Sequence, residues 1–152
     1  MRDIPKKNYF ILLIMILSVV AITIVLMNAY NNRVKKTSIM YNYLSEIKEN
    51  DLDAYLIENP NIVIYIADKY DLSNNQVEKK LKKKMIKLNI SDYFVFLNLN
   101  NDMDFINQLN EKYYGNVEKN LPVIVVFEDG KIKESFYDLN DTSINKIMGE
   151  LK

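Results

Sequence analysis

Leu121-Pro122-Val123-Ile124-Val125-Val126-Phe127-Glu128-Asp129-Gly130-Lys131-Ile132 carries the clearest structural instruction in the chain. A proline opens a run of β-branched residues. Asp129-Gly130 then interrupts it with a residue pair favoured in tight hairpin turns. The stretch predicts a strand from Pro122, a turn at Asp129-Gly130, and a second strand from about Lys131 to Tyr137.

The residues around this hairpin set the rest of the pattern. Asn61 to Ala67 (NIVIYIA) and Tyr93 to Leu99 (YFVFLNL) are continuous apolar runs of strand length. Continuous rather than alternating character suits central strands covered on both faces. A helix is predicted from about Asn75 to Leu88, with Val77, Leu81, Met85 and Leu88 spaced to share one face. Asp102-Met103-Asp104 opens another through Tyr113 or Tyr114, its acids favoured by the helix dipole rather than set out as metal ligands. Phe105, Ile106 and Leu109 face inward there, and Gly115 is the stop. Asn50-Asp51 caps a short helix through Ile57, which Asn59-Pro60 ends. Asp141 or Thr142 caps a last helix with Ile144, Ile147, Met148 and Leu151 as its apolar side. Thr37 to Tyr43 alternates, and reads as a short first strand or as a helix continuing from the preceding segment. The order β-α-β-α-β-α-β-β-α needs parallel crossovers first and an antiparallel pair late. That is an α/β fold, a mixed sheet flanked by helices.

The front of the chain is different in kind. Phe10 to Met27 reads FILLIMILSVVAITIVLM, and no charge occurs from Asn8 to Asn32. Eighteen helical residues span about 27 Å, close to the hydrocarbon core of a bilayer. Tyr9 and Tyr30 stand where interfacial aromatics are expected. The run is apolar all round, which argues against an amphipathic core helix. It exceeds the usual apolar region of a cleaved signal peptide, and Met27-Asn28-Ala29 is a weak cleavage site, so an uncleaved anchor is the expectation. Ser18 and Ala21 lack the four-residue spacing of close helix pairing. The organisation is therefore a basic tail (1–8), a single transmembrane helix (9–30), a basic juxtamembrane linker (31–36) and a folded domain (37–152).

The formal net charge of zero hides an asymmetry. Residues 1–36 carry Arg2, Lys6, Lys7, Arg33, Lys35 and Lys36 against Asp3; the remainder carries an equal excess of acid. Basic residues at both ends of the apolar run make the positive-inside rule nearly neutral. Lys79, Lys80, Lys82, Lys83, Lys84 and Lys87 crowd one helix whose sole acid is Glu78. Such a run is ordinarily a solvated face; its functional reading is contact with anionic lipid or an acidic partner, since only about ten to twenty residues separate the membrane from the domain that carries it. Nucleic acid fits less well, because the domain is net acidic. The abundance of Lys, Asn and Ile suggests an AT-rich bacterial genome.

The chain has no cysteine and no histidine. Disulfides, thiol catalysis, the commonest general base and the commonest metal ligand are all excluded. With three glycines, a phosphate-cradling loop has no material.

The hairpin from Leu121 to Ile132, with the closing amphipathic helix, resembles the thioredoxin-like fold over roughly Thr37 to Lys152. In that superfamily the proline is usually cis and sits beside a Cys-x-x-Cys motif. The resemblance puts the motif at Asp71-Leu72-Ser73-Asn74, with Asp71 and Asn74 in the cysteine positions. The buried acid of thioredoxins falls near Tyr65. Disulfide exchange is therefore not expected, nor any cofactor or metal, and Asp71 or Ser73 reads as a helix cap. The resemblance implies a redox-inactive binding or scaffold module tethered to a bacterial cell membrane. Its partner is a peptide or protein, engaged at a groove formed by Asp71, Leu72, Ser73, Asn74, Leu121 and Pro122, with the domain outside the cytoplasm. The alternative it implies is an accessory factor for a bacteriocin-type peptide exporter or other membrane transporter.

Overall fold

The computed structural model describes residues 6–34, 36–99, 102–137 and 139–150. Arg2, Lys35 and Leu151, and the side chains of Arg33, Asp141 and Met148, lie outside what is described. The chain divides into two units, Met1–Lys36 and Thr37–Lys152.

Among its described residues the first unit holds one helix, α1 (Lys6–Val34). Asn8–Asn32 is long and apolar enough to cross a membrane. Its apolar side chains are exposed all round, as a helix sequence with no polar stripe requires. The Ser18 hydroxyl donates to the Ile14 carbonyl and the Thr23 hydroxyl to the Val19 carbonyl, each at 2.8 Å. These hydroxyls therefore find acceptors within the helix, which an apolar surrounding demands. The helix runs through Val34, so Asn31 to Val34 extend it instead of forming a linker.

The second unit is a five-stranded sheet. Its strands are β1 (Ser45–Ile47), β2 (Ile62–Ala67), β3 (Phe94–Asn98), β4 (Val123–Glu128) and β5 (Lys131–Phe136). They lie in the order β1-β3-β2-β4-β5. β3 pairs parallel with both β1 and β2, and β4 pairs antiparallel with β2 and β5. The helices are α2 (Leu52–Glu58), α3 (Asn75–Leu88), α4 (Met103–Tyr113) and α5 (Asp141–Glu150).

The continuous apolar runs have the reason anticipated for them. Every residue of β2 and β3 is buried. Val63, Tyr65 and Ala67 face a core with Leu81 and Met85 of α3 and Ile144 and Ile147 of α5. Ile62, Ile64 and Ile66 face the opposite core, with Leu52 and Leu56 of α2 and Ile106 and Leu109 of α4. Full burial of such a side chain contributes about 1.5–3 kcal/mol, so these central strands hold the domain together from both faces.

The hairpin turn is a two-residue loop, with Glu128 paired to Lys131. Asp129 (φ 52°) and Gly130 (φ 72°) both adopt the left-handed conformation that a type I′ turn needs. Its tip is tied to the entrance of β2. The Asp129 N–H donates to the Asn61 side chain and the Gly130 N–H to the Pro60 carbonyl, both at 3.0 Å. Tyr114 (φ 57°), rather than Gly115, takes the left-handed position that ends α4. Gly115 has a different constraint: a Cβ there would overlap the Ile132 side chain of β5. The Asp102 carboxylate caps α4 by accepting from the Asp104 and Phe105 N–H groups.

Four local expectations are corrected. Thr37 to Tyr43 forms turns, not a strand, and β1 begins later, at Ser45. Asp51 gives α2 no side-chain cap; a turn of 3₁₀ helix at Glu49–Asp51 leads into it. Asn140, not Asp141 or Thr142, precedes α5 with its side chain accepting from the Ser143 N–H at 2.9 Å. Leu88 is exposed, because Asn89 reverses the chain in a left-handed conformation and Ile90 packs on the core instead.

The first correction has a definite cause. Glu78, in the first turns of α3, is 1% exposed. Its Oε1 accepts from the Ser38 and Tyr65 hydroxyls, each at 2.8 Å. Its Oε2 accepts from the N–H groups of Ile39 (2.7 Å) and Met40 (3.3 Å). Those two backbone donors are thereby taken from any strand ladder. Both carboxylate oxygens accept twice, an acceptor-only arrangement suited to an ionised carboxylate at the favourable end of a helix dipole. Burial, and secondly the charge of Glu78, push the Tyr65 hydroxyl well above the usual tyrosine range, so it stays a donor. Buried donors left unmade cost about 1–3 kcal/mol each. Glu78→Ala should therefore destabilise the domain by about 3–4 kcal/mol, and Tyr65→Phe by about 1–2 kcal/mol. Urea unfolding of the detergent-solubilised chain, followed by tyrosine near-ultraviolet dichroism, measures both. Losses below 0.5 kcal/mol, roughly the surface-substitution level, would show that the carboxylate does not hold this region.

Candidate functional site

The two halves of the predicted groove come from opposite directions in sequence and meet at one end of the sheet. β2 ends at Ala67 and the chain enters α3 through the loop Asp68 to Asn74. β4 runs antiparallel to β2, and Ile66 pairs with Val123. Pro122 therefore stands one step before the last β2–β4 pair, beside the end of β2 from which the loop departs. The Leu121–Pro122 peptide bond is cis.

The loop is closed by its own polar side chains. The Tyr70 N–H donates to Asp68 Oδ1 and the Ser73 N–H to Asp71 Oδ1, each at 2.8 Å, the geometry of successive Asx turns. The Asn74 side-chain amide donates to Asp71 Oδ2 at 3.2 Å and to Ser73 Oγ at 3.0 Å. These bonds, those from Ser73 first, hold the Asp71 carboxyl below the ordinary carboxylate range. The helix cap is Asn74 and makes no side-chain capping bond, so neither Asp71 nor Ser73 caps α3. They shape the turn before it.

Pro122 is buried and Leu121 half-buried against the second core. Asp71 and Asn74 are half-buried, whereas Leu72 and Ser73 are exposed. Tyr70, which the sequence reading overlooked, is 64% exposed. Lys69 lies between it and Tyr41, its ammonium 5.3 and 5.4 Å from the two ring centres. The rim thus presents Tyr70 and Leu72 to solvent, with Asp71 and Asn74 bound to each other.

The six lysines of α3 are not equivalent. Lys82 lies over the Tyr43 ring at 4.5 Å. Lys84 donates to the Asn145 side chain at 3.2 Å. Lys79, Lys80, Lys83 and Lys87 are exposed, and their spacing of three and four residues places them on one stripe.

A polar recess lies elsewhere, among Glu49, Asn50, Asp53, Asp102, Gln108 and Lys112, with a volume of about 380 Å³. Partial burial, and secondly the charge of Asp102, raise the Glu49 carboxyl above its ordinary value. Hydrogen bonds from Lys112 and Tyr113 lower that of Asp53. Among the described residues no three His, Cys, Asp or Glu side chains are placed to share a metal ion. Sequence gave no warning of the recess, because its lining comes from α2, α4 and the turns before them.

Sheet order, helix placement and the cis-proline together define the thioredoxin fold, here without the cysteines of its redox chemistry. Solved structures bear this out. Thioredoxin of Fasciola hepatica shares 18% identity and a TM-score of 0.51, the match covering 72% of this chain and all of that one. Mitochondrial thioredoxin 3 of Saccharomyces cerevisiae shares 14% identity and a TM-score of 0.52, covering 73% of this chain and 98% of that one. Thioredoxin f2 of Chlamydomonas reinhardtii gives 12%, 0.52, 72% and 96% on the same measures. At such identities the likeness establishes fold alone. No family model and no curated protein matches the sequence.

The lowered Asp71 carboxyl gives a pH prediction. A group whose folded pKa lies below its unfolded value of about 3.9 stabilises above that value and loses the contribution as pH falls through the folded pKa. Asp71→Asn keeps the acceptor and removes the charge. It should lower Tm slightly at pH 7, and the difference from the parent chain should close below about pH 4. A thermal-melt series across pH checks this; a gap that persists unchanged into acid would show that the charge is not involved.

Proposed function

We propose that this chain is a non-catalytic binding module on a thioredoxin fold, tethered to a bacterial cell membrane by α1 with its domain outside the cytoplasm. The single observation that supports this reading is the groove end itself. The cis Leu121–Pro122 bond is kept beside a loop whose thiol positions hold Asp71 and Asn74. A chain without cysteine has no sulfur to attack or release a disulfide. An extended peptide can still be held there by main-chain pairing and by contact with Tyr70 and Leu72, and neither requires a thiol. Engagement of a transporter component would use the same groove, so transporter accessory work is one setting for this function rather than a competing chemistry.

The test is nuclear magnetic resonance of the full chain in detergent micelles, titrated with unstructured apolar peptides. Shifts should concentrate at residues 69–74 and 121–123, and Leu72→Asp should weaken them several-fold. The same preparation should show only background disulfide reductase activity. Shifts scattered elsewhere, with the groove silent, would sink the binding reading.

A further inference from the structure

Glu78 turns inward, and with it goes the sole acid of α3. The outward face is left with Lys79, Lys80, Lys83 and Lys87, and none of the four has an ion-pair partner among the described residues. Along the helix axis the stripe extends about 12 Å. Ile86 lies beside it, three residues beyond Lys83, and is 56% exposed. A basic stripe bordered by an exposed aliphatic side chain is the composition that anionic lipid surfaces attract.

The chain's connectivity brings such a surface within reach. Glu78 Oε2 accepts from the Ile39 N–H, five residues after the last residue of α1. Fully extended, those five residues span at most about 18 Å. The first turns of α3 are therefore fastened to the segment that follows the apolar helix, and Lys79 and Lys80 come next after the fastening point. Lys35 and Lys36 add positive charge to the same short connection, and Arg33 to the end of α1 that precedes it.

We propose that the outward face of α3 docks on the anionic lipid surface of the bilayer that holds α1. This rests on the reading of α1 as a membrane anchor. It is independent of peptide binding at the groove. Lys82 and Lys84 take no direct part, being turned to Tyr43 and Asn145.

The test places the full chain in nanodiscs of phosphatidylcholine, with and without phosphatidylglycerol, and reads lysine acetylation by mass spectrometry. Labelling of Lys79, Lys80, Lys83 and Lys87 should fall several-fold in the anionic discs and recover at high salt. Lys112 and Lys131 should label equally in both. Each lysine removed should weaken the protection roughly fivefold, so the double variant Lys79→Glu, Lys83→Glu should expose Lys80 and Lys87 again. Equal labelling of the stripe in both kinds of disc would overturn the proposal and leave the anchor standing. So would protection that requires an added acidic protein instead of anionic lipid. A chain that enters neither kind of disc would overturn the anchor reading and the docking with it.

Discussion

The buried carboxylate of Glu78 joins three parts of the domain that the sequence separates widely. It receives the hydroxyl of Tyr65 from β2, the hydroxyl of Ser38, and two backbone N–H groups from the segment after α1. A carboxylate with a single partner would be costly at this depth. With four donors its lone pairs are answered, and the hydrogen bonds are charge-assisted. The consequences spread outward. Thr37 to Tyr43 is held in turns, the start of α3 is fixed against the sheet, and the outward face of α3 is left without acid.

Tyr65 supplies the sheet's own contact with this carboxylate. The resemblance puts a buried acid at this position. Here that position is a tyrosine, and the carboxylate it donates to belongs to α3. The ring of Tyr65 lies tilted against Phe96, 5.8 Å between centres, and Phe96 in turn meets Tyr41 edge-on at 5.4 Å. The buried polar pair and its aromatic neighbours hold this part of the domain together. Above it, Asp71 and Asn74 satisfy one another. The site is therefore closed to disulfide exchange by composition and self-contained in its hydrogen bonding, while Tyr70 and Leu72 at its rim remain exposed.

Much of this architecture was legible in the residues. β2 and β3 announced themselves because strands buried on both faces lose polar alternation, as Ile62 to Ala67 does. The hairpin was legible because only a few residue pairs accept two left-handed conformations in succession, and Asp129-Gly130 is one. The start of α4 was legible because Asp102 caps through local geometry. Two of the failures needed a partner distant in sequence. Ile39, Tyr41 and Tyr43 alternate like a strand, yet the N–H groups of Ile39 and Met40 go to Glu78, some forty residues on. Gly115 looked like a helix stop, but its small size answers Ile132 on a neighbouring strand.

What the sequence determined by itself was the order of elements, the apolar N-terminal helix and the absence of thiol chemistry. Each follows from local periodicity or from which atoms the chain contains. Tertiary structure decided that Glu78 turns inward on α3, and so which of six lysines form its outward face. It also decided that Pro122 lies beside the loop that carries Asp71. Those outcomes depend on which distant groups compete for one hydrogen-bond donor or one patch of sheet, and that competition is settled only when the strands pair.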